Sequence, residues 1–158
     1  MNKPLTFGWA GSSSLGLELS KPLKNISIEF EPHGKPMFVT LWRQDGTGLR
    51  LFSKMHDVAQ RKEIGIMQFE SVSSGKNGEV TIEIPRHFEG RIAASKLVIE
   101  ESGTIAESGV VLHGSDGREI VIVPADFPCF LAIKGLPLDS HTSKPEYPLQ
   151  QYHRVALS

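Results

Sequence analysis

Six histidines, at positions 33, 56, 87, 113, 141 and 153, are the side chains of this sequence that could titrate near neutral pH or ligate a metal. No two stand two, three or four residues apart, the local spacings that place two imidazoles on one metal, so no metal site and no cofactor are expected. His33 and His113 fall in or beside turns, His56 at a segment start, and His141 and His153 near the carboxyl terminus, where imidazoles are exposed or locally bonded. His87 differs. In Pro85-Arg86-His87-Phe88-Glu89-Gly90 it stands between Arg86 and Glu89 in a strand-ending loop. With His113 from another loop, these residues form the cluster expected to line a pocket, either for a small molecule or for hydrolysis.

Nucleophile signatures are incomplete. Gly11-Ser12-Ser13-Ser14 runs into Leu15 where a G-x-S-x-G elbow needs glycine, so GWAGSSSLG reads as a flexible lead-in. Ser73-Ser74-Gly75-Lys76 satisfies S-x-x-K, but it lies in a Gly/Asn loop, whereas that motif works from a helix start that fixes lysine over serine. The same Gly75-Lys76 is no phosphate loop, because the required earlier glycine is missing and Asn77 occupies the Ser/Thr position. Cys129, the single cysteine, excludes an internal disulfide and any CxxC site, and its neighbours Phe127, Pro128 and Phe130 predict burial and an inert thiol. Glu29, Glu31 and Glu83 have the residue type of paired glycosidase acids, but strand alternation puts them on a solvated face.

One charge pattern stands above this background. Trp42, Arg43, Arg50, Phe52 and Lys54 mix aromatics with cations on a single hairpin, and through Glu63 the stretch carries five basic against three acidic residues. Alternation against Leu49, Leu51 and Met55 puts Arg50, Phe52 and Lys54 on one outward face, where a phosphate-bearing or acidic partner would dock. Tyr147 and Tyr152 are further contact candidates, since aromatic and Arg side chains carry much of the energy of interfaces.

The elements that must position these residues read as strand after strand. Val and Ile supply 22 residues against 8 Ala, a bias toward sheet. Leu15, Leu17 and Leu19 alternate as a strand would, as do Ile26, Ile28 and Phe30. Met37–Arg43 and Leu49–Met55 flank Asp45-Gly46, a hairpin turn. His56–Glu63 is the one segment with helical character, Asp57 and Gln60 resembling a short capping box. Ile64–Val72, Val80–Ile84, Leu97–Glu101, Ile105–Leu112, Glu119–Val123 and Cys129–Lys134 complete about ten strands. Ile120-Val121-Ile122-Val123 has no polar side, so both of its faces must be covered. The fold class is therefore all-β, an antiparallel β-sandwich or barrel of about ten strands with at most one short helix. Residues 1–135 form a single β-domain, and 136–158, with Pro137, Pro145 and Pro148, form a tail laid on the domain or on a neighbouring subunit.

Composition bounds the function. At 158 residues the chain has the size of one domain, and 39 % hydrophobic residues exceed what disorder would leave. A net charge of −1 supplies no global field for nucleic acid, and Trp42 and Phe52 alone offer base-stacking surfaces on the basic hairpin, so single-stranded nucleic-acid binding is disfavoured. The amino terminus lacks a continuous apolar core for a signal peptide and no stretch suffices for a membrane span, which points to a cytoplasmic protein without a membrane partner. These features together suggest a non-enzymatic domain that binds another protein or itself, as a homodimer; the second reading is a small-molecule barrel or hydrolase around His87.

Overall fold

The computed structural model describes residues 4–58, 62–75, 79–101, 103–137 and 143–157, with Lys62 and His87 described in their backbone only. Ten strands form two five-stranded antiparallel sheets that pack as a sandwich. The first sheet runs β4 (Lys62–Val72), β3 (Gly48–Val58), β2 (Pro36–Arg43), β1 (Leu23–Phe30), β5 (Glu79–Glu83). The second runs β10 (His153–Ala156), β6 (Ala93–Glu101), β7 (Thr104–His113), β8 (Glu119–Pro124), β9 (Leu131–Lys134). Of the two architectures compatible with the alternation, the sandwich forms because each sheet ends in edge strands instead of closing on itself.

The turns follow their chemistry. In the β2–β3 hairpin Gly46 takes φ 87° and the Asp45 carboxylate accepts from Thr47 N at 2.9 Å; in the β7–β8 hairpin Gly117 takes φ 87° and Asp116 accepts from Arg118 N at 3.0 Å. An Asp side chain closes the turn and a glycine supplies the positive φ in both, so their likeness needs no duplication.

The second sheet is apolar on both faces. Ile120 and Ile122 face the first sheet, joining Val110, Leu112, Leu131 and Ile133 against Ile26, Val39, Leu49 and Met67. Val121 and Val123 point the other way, with Leu97, Ile99 and Val111, and are covered by Ile64 and Ile66 of β4 and by Tyr152. The all-apolar run of β8 is thus covered on both sides, each fully buried aliphatic side chain contributing about 1.5–3 kcal/mol.

Three local expectations are overturned. Leu15–Ser20 is a short helix, α1, capped by Ser14, whose Oγ accepts from Leu17 N at 3.2 Å. Leu15 and Leu19 stand four apart, so a helix serves them as well as a strand: Leu19 is buried, Leu15 packs on the core, and Leu17 is 41 % exposed. His56–Glu63 holds no helix in its described part, because β3 continues to Val58 and β4 starts at Lys62, with His56 paired to Ile64; residues 59–61 lie outside the described residues. Eight residues offer few intrahelical bonds, and the ladder satisfies the same groups. Cys129 is exposed, since it occupies the β8–β9 turn with φ 70°.

The outer edge of β4 is closed by distant segments. Gly8 accepts from Phe69 N and donates to Met67 O, Ser108 Oγ donates to Gly65 O at 2.8 Å, and the Glu146 carboxylate accepts from Gly65 N at 3.1 Å. Gly65 permits this crowding, for a Cβ there would stand 2.5 Å from Pro124 Cβ. At Gly65, Met67 and Phe69, edge N–H and C=O groups that would template pairing with another chain are consumed internally.

Candidate functional site

The outer face of the first sheet carries most of the hairpin residues singled out by the sequence. Phe52 and Lys54 do share a face with Arg50, opposite Leu49 and Leu51 of the core. Arg50, however, is only 6 % exposed: it stands opposite Glu70 in the ladder, with Nη1 donating to Glu70 Oε1 at 3.2 Å and Nη2 lying 3.8 Å from Glu79 Oε1. Its guanidinium carbon lies 5.7 Å from the centroid of Phe38, whose ring is 5.7 Å from that of Phe52. Trp42 donates through Nε1 to Ser27 Oγ at 2.9 Å, and Ser27 Oγ donates to Glu79 Oε2 at 3.1 Å. Half-buried Phe38, Trp42 and Phe52 therefore sit on a hydrogen-bonded polar floor, and Lys54 is exposed at the margin.

Arg43 is separate from this face. It is 4 % exposed, pairs with Glu18 of α1, and donates through Nε to Thr47 Oγ1 at 2.9 Å. Burial raises the cost of charge on Glu18, but Ser13, Lys21 and Arg43 outweigh it and hold the carboxyl below the ordinary range. Arg43 thus ties α1 to the first sheet. Arginine side chains read from the sequence as docking cations are committed to carboxylates of the chain itself.

The tyrosines lie on the far side of the second sheet. Tyr152 is 6 % exposed, packed in the cluster with Leu97 and Val121, and its ring stands 6.2 Å from that of half-buried Tyr147 in an edge-on arrangement. Burial and the neighbouring Glu146 push the Tyr147 phenol up to about 12 and raise Tyr152 as well.

Glu89 and His113 line different clefts. Arg86–Phe88 is a single 3-10 turn before β6, Phe88 is buried in the core, and Glu89 lines a shallow cleft with Leu23, Lys24, Gln44 and Ile84. The side chain of His87 lies outside the described residues, as does all of His141. His113 has other company. Its Nε2 is 2.8 Å from Ser95 Oγ of β6, and its Nδ1 is 3.2 Å from Glu119 Oε2 of β8. Arg154 of β10 holds Glu119 with both guanidinium nitrogens, Nη2 at 3.0 Å from Oε1 and Nη1 on Oε2. Those bonds depress the Glu119 carboxyl, and a neutral His113 imidazole pairs best with it when the ring proton is on Nδ1. The bare Nε2 then accepts from the Ser95 hydroxyl.

Nothing in the sequence singles out Ser95, Glu119, Phe38 or Glu79, which are ordinary members of alternating strands. Only the ladder register brings them together: Glu119 stands opposite His113, and Ser95 is two residues along β6 from Ala93, the cross-strand neighbour of His113. Among the described residues, no group of three or more His, Cys, Asp or Glu could hold a metal ion, and no helix is long and apolar enough to cross a membrane. No protein-family model, no curated protein and no solved structure matches the chain.

Proposed function

We propose that this β-sandwich binds a protein partner through the outer face of its first sheet, centred on Phe38, Phe52 and Arg50 with Trp42 beside them. The observation that carries the reading is the Phe38–Arg50–Phe52 cluster, half-open to solvent yet held in place by Glu70 and Glu79. Aromatic and Arg side chains already fixed in one arrangement lose little entropy on docking, and a polar rim around an aromatic centre is the usual anatomy of a protein interface. The rim here is acidic: Glu29, Glu70 and Glu83 lie on this face with Lys54, while Glu79 and Arg50 pair beneath it. That balance favours a partner presenting basic or hydrogen-bond-donating groups, and it argues against a phosphate-bearing strand. A second copy of the chain is one such partner, since the face carries charges of both signs.

A photoreactive amino acid placed at Lys54 tests this in the producing cells. A protein-sized adduct, or a dimer of the chain, should form and should disappear when Phe38 and Phe52 are both changed to Ala. Hot-spot truncations of about 2 kcal/mol each correspond to roughly 30-fold weaker binding per site. An adduct that survives the double substitution, or one formed equally from a probe at Arg118 in the β7–β8 turn, removes the first-sheet face from consideration.

A further inference from the structure

Beyond that interface, we propose that Ser95 is a nucleophile activated by His113, in a site on the second sheet that accepts small acyl esters. Serine, imidazole and carboxylate come from three adjacent strands, at 2.8 Å from Ser95 Oγ to Nε2 and 3.2 Å from Nδ1 to Glu119 Oε2. This is the ordering of groups that makes a hydroxyl reactive, and it is recognised by geometry on unrelated folds, not by sequence position. His113 is the general base. Glu119 is a positioning residue that fixes the tautomer; Arg154, bound to the same carboxylate, holds it in place and partly neutralises its charge.

An open cleft of about 690 Å³, lined on one side by α1, adjoins the pair. Leu17, Ala94, Ala156 and Leu157 give it apolar walls, with Ser14 and Ser20 adding hydroxyls. Ser20 donates to Leu17 O at 3.0 Å, whereas the Ser14 hydroxyl, among the described residues, only accepts from Leu17 N, which leaves its proton for a carbonyl oxygen in the cleft. Exposure of Leu17 at 41 % agrees with a wall made to receive an acyl chain.

In the reaction the Ser95 Oγ–C bond forms as the hydroxyl proton passes to His113 Nε2. The ester C–O bond then breaks and the leaving alcohol takes that proton. Water, deprotonated by the same imidazole, attacks the acyl-serine, releasing the carboxylic acid and restoring the Ser95 hydroxyl. No oxidant, reductant or metal is needed.

The test is a fluorophosphonate probe on the full-length protein, read by intact mass and peptide mapping, with p-nitrophenyl acetate hydrolysis alongside. In labelling, the Ser95 Oγ–P bond forms, the P–F bond breaks, and fluoride leaves. We expect one label on Ser95, its loss in Ser95→Ala, and labelling at least about 100-fold slower in His113→Ala, the usual contribution of a positioned base. Glu119→Gln should slow it by a smaller factor. The mapped position in the wild-type chain decides the matter even where Ser95→Ala fails to fold. Absence of label, label on another serine, or a His113→Ala rate equal to wild type overturns the proposal.

Discussion

Glu146 is a carboxylate that the fold holds in two opposed ways. Its two oxygens accept from Gly65 N at 3.1 and 3.2 Å, which favours the charged form, while burial and the charge of Glu101 disfavour it. Burial is the largest of these effects and pushes the carboxyl from 4.5 up to about 7. Between those two values the folded chain keeps a proton that the unfolded chain has released, so stability falls as pH rises through this window and levels off above it. The interval from 4.5 to about 7 sets a ceiling of about 3 kcal/mol at about 1.36 kcal/mol per pH unit. Because the residue is only half-buried, water screens the effect, and about 1–2 kcal/mol is the working expectation. Glu146→Gln keeps an oxygen for Gly65 N and removes the titration. Urea unfolding at pH 4 and pH 8, followed by fluorescence of Trp9 and Trp42, measures both proteins under each condition. The variant should gain about 1–2 kcal/mol on wild type between the acidic and the basic measurement. Other carboxyl groups titrate in both proteins and cancel in the difference. An equal gap at the two pH values, or a gap that grows toward acid, would refute the assignment of burial as the dominant effect.

Two further outcomes follow from side chains whose setting the fold reveals. Arg43→Ala leaves buried Glu18 with Lys21 as its one remaining cation among the described residues and should cost about 3 kcal/mol in denaturant unfolding, whereas Lys54→Ala should stay within about 0.5 kcal/mol; equal effects would contradict the division between a structural and a surface cation. Cys129 should react with a thiol reagent in the folded protein without prior unfolding, and Cys129→Gly should raise stability by about 1 kcal/mol by relieving its φ of 70°; a protected thiol or a destabilised glycine variant would count against the turn geometry.

Local chemistry was legible in the residues wherever neighbours in sequence are also neighbours in space. The Asp-Gly turns, the alternation of Ile26, Ile28 and Phe30, and the doubly apolar run Ile120–Val123 each have a cause a few residues long, and each holds in the fold. Short segments were the weak point. Leu15, Leu17 and Leu19 satisfy both a period of two and an i, i+4 spacing, so the α1 helix was settled by which leucines the core could cover. The outward face of Arg50, Phe52 and Lys54 was readable from alternation, but the fate of the Arg50 charge was not, since it depends on Glu70 and Glu79 of two other strands.

Burial pattern and turn geometry are properties of short stretches, so an all-β chain of about ten strands, its tight turns and the strand covered on both sides were all legible in the residues. Tertiary structure alone decided sandwich over barrel, the neutralisation of Arg43 and Arg50, the Glu146 contact with Gly65, and the meeting of Ser95, His113 and Glu119. Each of these depends on strand order and register. Pairing two strands one residue out of step sends every side chain to the opposite face, and no local pattern in the sequence records which partner a strand will take.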